Sequence, residues 1–152
     1  MKVQVETDNK NREPRVVIHC SEVTDDVLKI QSAISKALTG TSRLMLTKNE
    51  KDFFVSPDQI LFFESVDGKT YAHTANSTFE TKDKLYELEN TLSLNFLRAG
   101  KSVILGTKNV LSIKRNLTGP SLVQFRGSHK QINVSRKYYK QLINKLSERS
   151  FK

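Results

Sequence analysis

At 152 residues, with 37% hydrophobic content and a formal charge of +9, the chain is sized for one domain, or one domain with a small appendage, and it needs no cross-links to fold. Its one cysteine, Cys20, excludes an intrachain disulfide, and no apolar run approaches the roughly 20 residues of a membrane helix. The opening MKVQVETDNKNREP has no apolar core and does not read as a signal peptide, so a soluble cytoplasmic protein is expected, with an anionic partner favoured over a small neutral ligand.

Lys2 to Glu6 alternates, with Val3 and Val5 on one side, and predicts a short strand. Asp8 to Pro14 is a polar loop. Val16, Val17 and Ile18 predict a second strand over Arg15 to Cys20, with Cys20 as a small buried hydrophobe. Thr24 is a good N-cap, Asp25 and Asp26 suit a first helical turn, and Val27, Ile30, Ile34 and Ala37/Leu38 form one helical stripe that Gly40 closes. Residues 1–40 therefore read as a ββα extension, electrically neutral with six bases and six acids.

Beyond Gly40 the pattern turns β. Short strands are expected at Leu44–Thr47, Phe53–Val55, Gln59–Val66, Thr70–Thr74 and Thr78–Glu80, with Asp67-Gly68 a strong hairpin signal. Thr81 can cap a helix whose apolar face is Leu85, Leu88 and Leu92. Five more short strands follow, at Phe96–Arg98, Val103–Leu105, Val110–Arg115, Leu122–Arg126 and Gln131–Val134. Ser135 then caps a last helix with Tyr139, Leu142/Ile143 and Leu146 inward. The expected architecture is mainly β with a few helices, an α+β arrangement of short sheets.

Charge is distributed unevenly along this pattern. Residues 97–152 hold thirteen Lys and Arg against one acid, a balance of +12, so the first 96 residues sum to −3. A merely solubilising face intersperses both signs, whereas a folded module with so lopsided a charge collects polyanions, of which nucleic acid is the commonest. No enzymatic template fits. His19, His73 and His129 match no metal-ligand spacing and read as structural or exposed, and no glycine lies in a phosphate-cradling loop. Glu64 and Asp67 read as strand-end and turn residues. No metal, cofactor or small-molecule substrate is therefore expected. A DNA recognition helix is also missing, because the last helix starts with Arg136, Lys137 and Lys140 but then turns apolar.

The segments QILFFES-VDGKTYAH, TKDKLYELENTL, NFLRAGKSVILGTKNVLSIKR and QINVSRKYYKQL resemble, in order and spacing, the LytTR DNA-binding domain of bacterial transcription regulators, over about residues 44–147. The resemblance implies an elongated bundle of short β-sheets whose loops enter successive major grooves, commonly at direct repeats in promoters. Matched residue by residue, it implies base contacts from Lys101, in the "F-[IVL]-R-x-x-[RKN]-S" segment, from Arg136, and more loosely from Lys69. Ser102, Arg98, Lys114, Arg115, Lys137 and Lys140 are expected on the DNA backbone. Gly100 departs from the family, which often has His or Ser there, and Lys reads guanine less selectively than Arg.

Residues 1–40 are too short for the receiver domain that usually accompanies this module. The division expected is an extension at 1–40, either for dimerisation or partner binding or as a cap that merely completes the fold, and a DNA-binding domain at 41–152. Double-stranded DNA and a small membrane-protein inhibitor are the partners the resemblance implies, with a second copy of the chain as a further expected partner. The competing reading is a regulatory interaction module whose basic face docks on such an inhibitor or an anionic surface.

Overall fold

The structure, a computed structural model, describes residues 2–10, 14–39 and 43–150. Helix α1 (Asp25–Thr39) is followed by strands β1 (Leu44–Lys48), β2 (Lys51–Val55), β3 (Phe62–Val66), β4 (Lys69–His73) and β5 (Thr78–Thr81). Helix α2 (Leu85–Thr91) leads into β6 (Phe96–Gly100), β7 (Val103–Gly106), β8 (Val110–Lys114), β9 (Ser121–Phe125), β10 (Gln131–Val134) and helix α3 (Arg136–Ser150). The strands form a seven-stranded sheet in the order β2-β1-β5-β4-β3-β7-β6 and a three-stranded sheet in the order β10-β9-β8, every pairing antiparallel.

Two tight turns set the register of the large sheet. Asn49 and Glu50 (φ 51° and 64°) join β1 to β2, and Asp67 and Gly68 (φ 51° and 78°) join β3 to β4. Paired positive φ values match the right-handed twist of the strands they connect, so the hairpin signal at Asp67-Gly68 is realised.

The chain has two cores that share one wall. Phe63, Ile104, Leu46 and Ala72 on one face of the large sheet pack with Leu85, Leu88 and Leu92 of α2. Phe62, Leu61 and Leu105 on the opposite face pack with Val123 and Phe125 of the small sheet and Leu142 of α3. Successive residues of a strand point to opposite faces, so Phe62 and Phe63 supply one ring to each core. Phe63 meets Phe96 with ring centroids 5.9 Å apart, and Phe62 stacks on Phe125 at 5.7 Å.

Several expectations are corrected. Residues 2–6 and 15–20 form no strand, and Val3 and Val16 are 91% and 68% exposed. Alternation marks a sided segment, but a strand exists only beside a partner, and none pairs with these segments. Cys20 is exposed for the same reason. Strand β3 begins at Phe62, because Pro57 to Gln59 winds into a 3₁₀ turn. Thr81 does not cap α2: its hydroxyl accepts from the Asp83 N–H, and Lys84 holds the N-cap position.

Thr24 does cap α1, its hydroxyl accepting from the Val27 N–H at 3.4 Å. The expected stop at Gly40 lies outside the described residues. Along α1, Val27, Ile30 and Ile34 are half-buried, and the Leu94 N–H donates to the Ala37 carbonyl at 3.0 Å, which ties the helix to the body.

One glycine is fixed by crowding. A Cβ on Gly106 would lie 2.7 Å from the Ile60 carbonyl oxygen and 3.2 Å from that of Leu61, both backbone atoms. Gly106→Ala should destabilise the fold by about 1–3 kcal/mol. Gly100→Ala, whose added Cβ meets no atom within 4 Å, should stay within about 0.5 kcal/mol of the parent. Urea denaturation of the two variants measures the contrast.

Candidate nucleic-acid interface

Three basic segments meet at one end of the shared wall. Lys69 opens β4 directly after the β3–β4 turn. Antiparallel pairing of β3 with β7, through Glu64 and Val103, puts the β6–β7 turn beside it, and the Ser65 N–H donates to the Ser102 carbonyl at 2.9 Å. That turn carries Lys101. The third segment is the entry to α3.

A β-bulge makes the third meeting possible. The register of β6 against β7 shifts between Arg98 and Gly100, leaving Ala99 as the extra residue. Its side chain is buried in the second core, while its carbonyl accepts from the Ser135 N–H at 2.9 Å. Ser135 thus stands at the N-cap of α3 through its backbone, its carbonyl accepting from the Tyr139 N–H, and its hydroxyl makes no cap bond among the described residues. Arg136 follows directly.

Lys69, Lys101, Ser102 and Arg136 are all exposed. Lys69 lies 3.8 Å from Glu80, with both side chains about half exposed or more. Such a pair is weak and can exchange its partner for another anion.

A second tier of cations flanks these. The pairings Lys114↔Leu122 and Ser121↔Val134 bring the end of β8 to the same end of the small sheet as the end of β10. Arg115 lies over the Tyr139 ring at 5.6 Å and Lys137 over the Tyr138 ring at 5.4 Å. Cation–π contact holds these groups on the surface without neutralising them. Lys114 and Lys140 are exposed as well.

The remaining site residue behaves differently. Arg98, expected on the DNA backbone, is half-buried and directs its guanidinium inward: Nη1 to the Glu89 carboxylate, Nε to the Gly100 carbonyl at 3.0 Å and Nη2 to the Lys101 carbonyl at 2.8 Å. Its planar fork fits three acceptors that the bulged strand and α2 place together.

Some of the basic third lies elsewhere. Lys108 pairs with Asp58 at 2.7 Å, and Lys130 is folded into a network at the other end of β4. There the Lys130 ammonium donates to the Ser77 carbonyl at 2.8 Å and approaches His73 Nδ1 at 3.3 Å, while His73 Nε2 sits 2.7 Å from Glu64. The His73 ring stacks on Phe62 at 4.2 Å.

These contacts select a tautomer. A proton on Nε2 lets His73 donate to Glu64 and leaves Nδ1 to accept from Lys130 or the Thr78 hydroxyl. Burial lowers the His73 pKa from 6.5; Glu64 opposes this, Lys130 reinforces it, and the net shift is downward. A second ring proton would face the ammonium, which adds to the downward shift.

His73 is thus structural, as its spacing suggested, and Glu64 is its partner rather than a plain strand-end residue. Sequence reasoning missed this set because Lys130 and His73 lie 57 positions apart. Among the described residues no group of His, Cys, Asp and Glu could hold a metal ion, and no helix is long and apolar enough to cross a membrane.

Comparison with known proteins fits this framework. The family model described as the LytTr DNA-binding domain matches residues 50–147. Two proteins of Staphylococcus aureus, strains MSSA476 and MW2, each named an uncharacterized HTH-type transcriptional regulator, are 25% identical over 147 residues, which is 97% of this chain and 99% of each relative. That alignment takes in most of the extension as well. A solved LytTr DNA-binding domain from Bacillus cereus superimposes with a TM-score of 0.63 and 23% identity, over 68% of this chain and 98% of that one. The relatives' names refer to a helix-turn-helix, whereas here strands separate each helix from the next.

Neutral His73 has a pH consequence. Its folded pKa lies below the ordinary 6.5, so the unfolded chain binds the proton more readily. The stabilising contribution is present above about pH 6.5 and is lost as pH falls through the folded value. His73→Gln keeps a donor for Glu64 but cannot titrate. Its denaturation midpoint should fall less than the parent's between about pH 8 and about pH 5.5, as urea titrations at the two pH values would show.

Proposed function

Because the chain belongs to the LytTr DNA-binding domain family, we propose that it is a transcription regulator that reads promoter direct repeats through loops set in the major groove. One observation carries this reading: Lys69, Lys101 and Arg136, from three separate segments, are gathered at one end of the wall formed by β3 and β7, Arg136 being the first residue of α3. An α-helix is not needed for major-groove reading when turns present the donors.

In this reading Lys101 and Arg136 take guanine acceptors, with Lys69 as a third contact. The Arg136 side chain leaves a helix start, where free N–H groups favour a phosphate, and its fork reaches a base edge. Ser102, Lys114, Arg115, Lys137 and Lys140 hold phosphates. Docking of the same face on a membrane or an inhibitor is the weaker reading, because neither requires donors gathered from three separate segments.

The extension takes a different role. It is neutral, and Leu28 and Leu38 of α1 are 50% and 57% exposed. Residues 1–40 are proposed as the surface for a second copy or a small membrane-protein inhibitor, with DNA reading confined to residues 41–152.

Base readers and phosphate anchors separate in a titration. With about five phosphate contacts, log K should fall against log salt with a slope of roughly −4 to −5. Lys101→Ala and Arg136→Ala should each cost about 1–3 kcal/mol on the preferred duplex and much less on a scrambled one. Lys140→Ala should weaken both alike and reduce the salt slope by about one. Equal losses on both duplexes for Lys101→Ala would remove Lys101 from the base-reading set.

A further inference from the structure

The Gly100–Lys101–Ser102 turn has little packing to hold it. Lys101 and Ser102 are exposed, and even a Cβ on Gly100 would touch nothing. Its backbone is restrained by polar contacts instead. On one side the Ser65 N–H holds the Ser102 carbonyl. On the other, the Arg98 fork holds the carbonyls of both Gly100 and Lys101.

Arg98 is itself held by Glu89, the residue after Leu88, which is buried in the first core. A line of support therefore runs from that core through α2 and Glu89 to Arg98 and the turn. We infer that the Arg98–Glu89 pair is a positioning device that fixes the Lys101 turn for base reading, so that Glu89, although an acid, strengthens binding to the preferred DNA.

This inference rests on the base-reading role of Lys101 proposed above. The alternative role for Arg98, a phosphate contact, fits the geometry less well. Nε, Nη1 and Nη2 all have protein acceptors, and the carboxylate offsets the charge a phosphate would seek. Lysine could not replace it, because a single ammonium lacks the fork that spans two carbonyls and a carboxylate.

The pair also borders an open cleft of about 440 Å³ whose lining includes Tyr138 and Gln141 of α3. Water reaches it, and the side chains are 24% and 45% exposed. Glu89 is 45% exposed, and a Gln there keeps an oxygen that can accept from Arg98 Nη1, so Glu89→Gln should fold like the parent.

The test uses the full chain, a duplex enriched by the wild-type protein from a random pool, and a scrambled duplex. Simple electrostatics predicts that Glu89→Gln, which removes an acid, tightens binding to both. Positioning predicts a loss of about threefold or more on the enriched duplex only, with melting unchanged. Arg98→Lys should show the same selective loss, and adding it to Lys101→Ala should cost nothing further, since the residue being positioned is gone.

Tighter binding of Glu89→Gln to both duplexes overturns the inference while leaving the DNA-reading assignment intact. So does a loss for Arg98→Lys that is equal on both duplexes and adds in full to that of Lys101→Ala. If the wild-type protein enriches no sequence from the pool, the DNA-reading assignment fails and the inference falls with it.

Discussion

Burial of β3 on both faces is the constraint on which the rest depends. A strand with one wet face can slip or tilt at modest cost, but Phe62 and Phe63 point into separate cores, and a slip of one residue would exchange them. Its neighbour β7 is bound in the same way, with Ile104 in one core and Leu105 in the other. The two strands thus form a wall with very little freedom. Lys69 and the turn that carries Lys101 hang from the exposed end of this wall, past its packed part.

At the end of the wall, polar contacts take over from packing. The bulge at Ala99 gives its side chain to a core and its carbonyl to the start of α3, so one irregular residue links sheet and helix. Arg98 lies just before it and gathers the next two carbonyls. Exposed cations can be held at defined positions in this way without acids beside each one to cancel their charge. Glu89 is a near acid, and it faces Arg98 on the protein side of the turn. The Glu64–His73–Lys130 set does comparable work at the other end of β4, tying the loop before β10 to the large sheet.

Much of this was legible in the sequence. Hairpin chemistry at Asp67-Gly68, the leucine stripe of α2 and the apolar alternation of β10 each follow from local spacing. The concentration of base in residues 97–152 pointed to nucleic acid, and the matched segments to the family. What stayed hidden depends on distant partners. Val3, Val5, Val16 and Val17 have the pattern of strands and lack a ladder to join. Arg98 looked like one more cation in a basic tract, because nothing local says that its side chain turns back on its own backbone. Glu64 looked solitary because its network closes only in three dimensions.

The order of strands in the large sheet has an effect that reaches beyond contact distance. Residues 41–96, with six bases and nine acids, build β1 to β5 and α2, while residues 97–152 build most of β6, all of β7, the small sheet and α3. Charge is therefore lopsided across the sheet, with a strong excess of base toward its β7–β6 side. A polyanion exerts a torque on such a body before it touches it, turning the basic flank inward during approach. Salt shortens the range of that torque, to about 8 Å at physiological ionic strength. Within that range, a collision begins with the molecule already turned toward its partner.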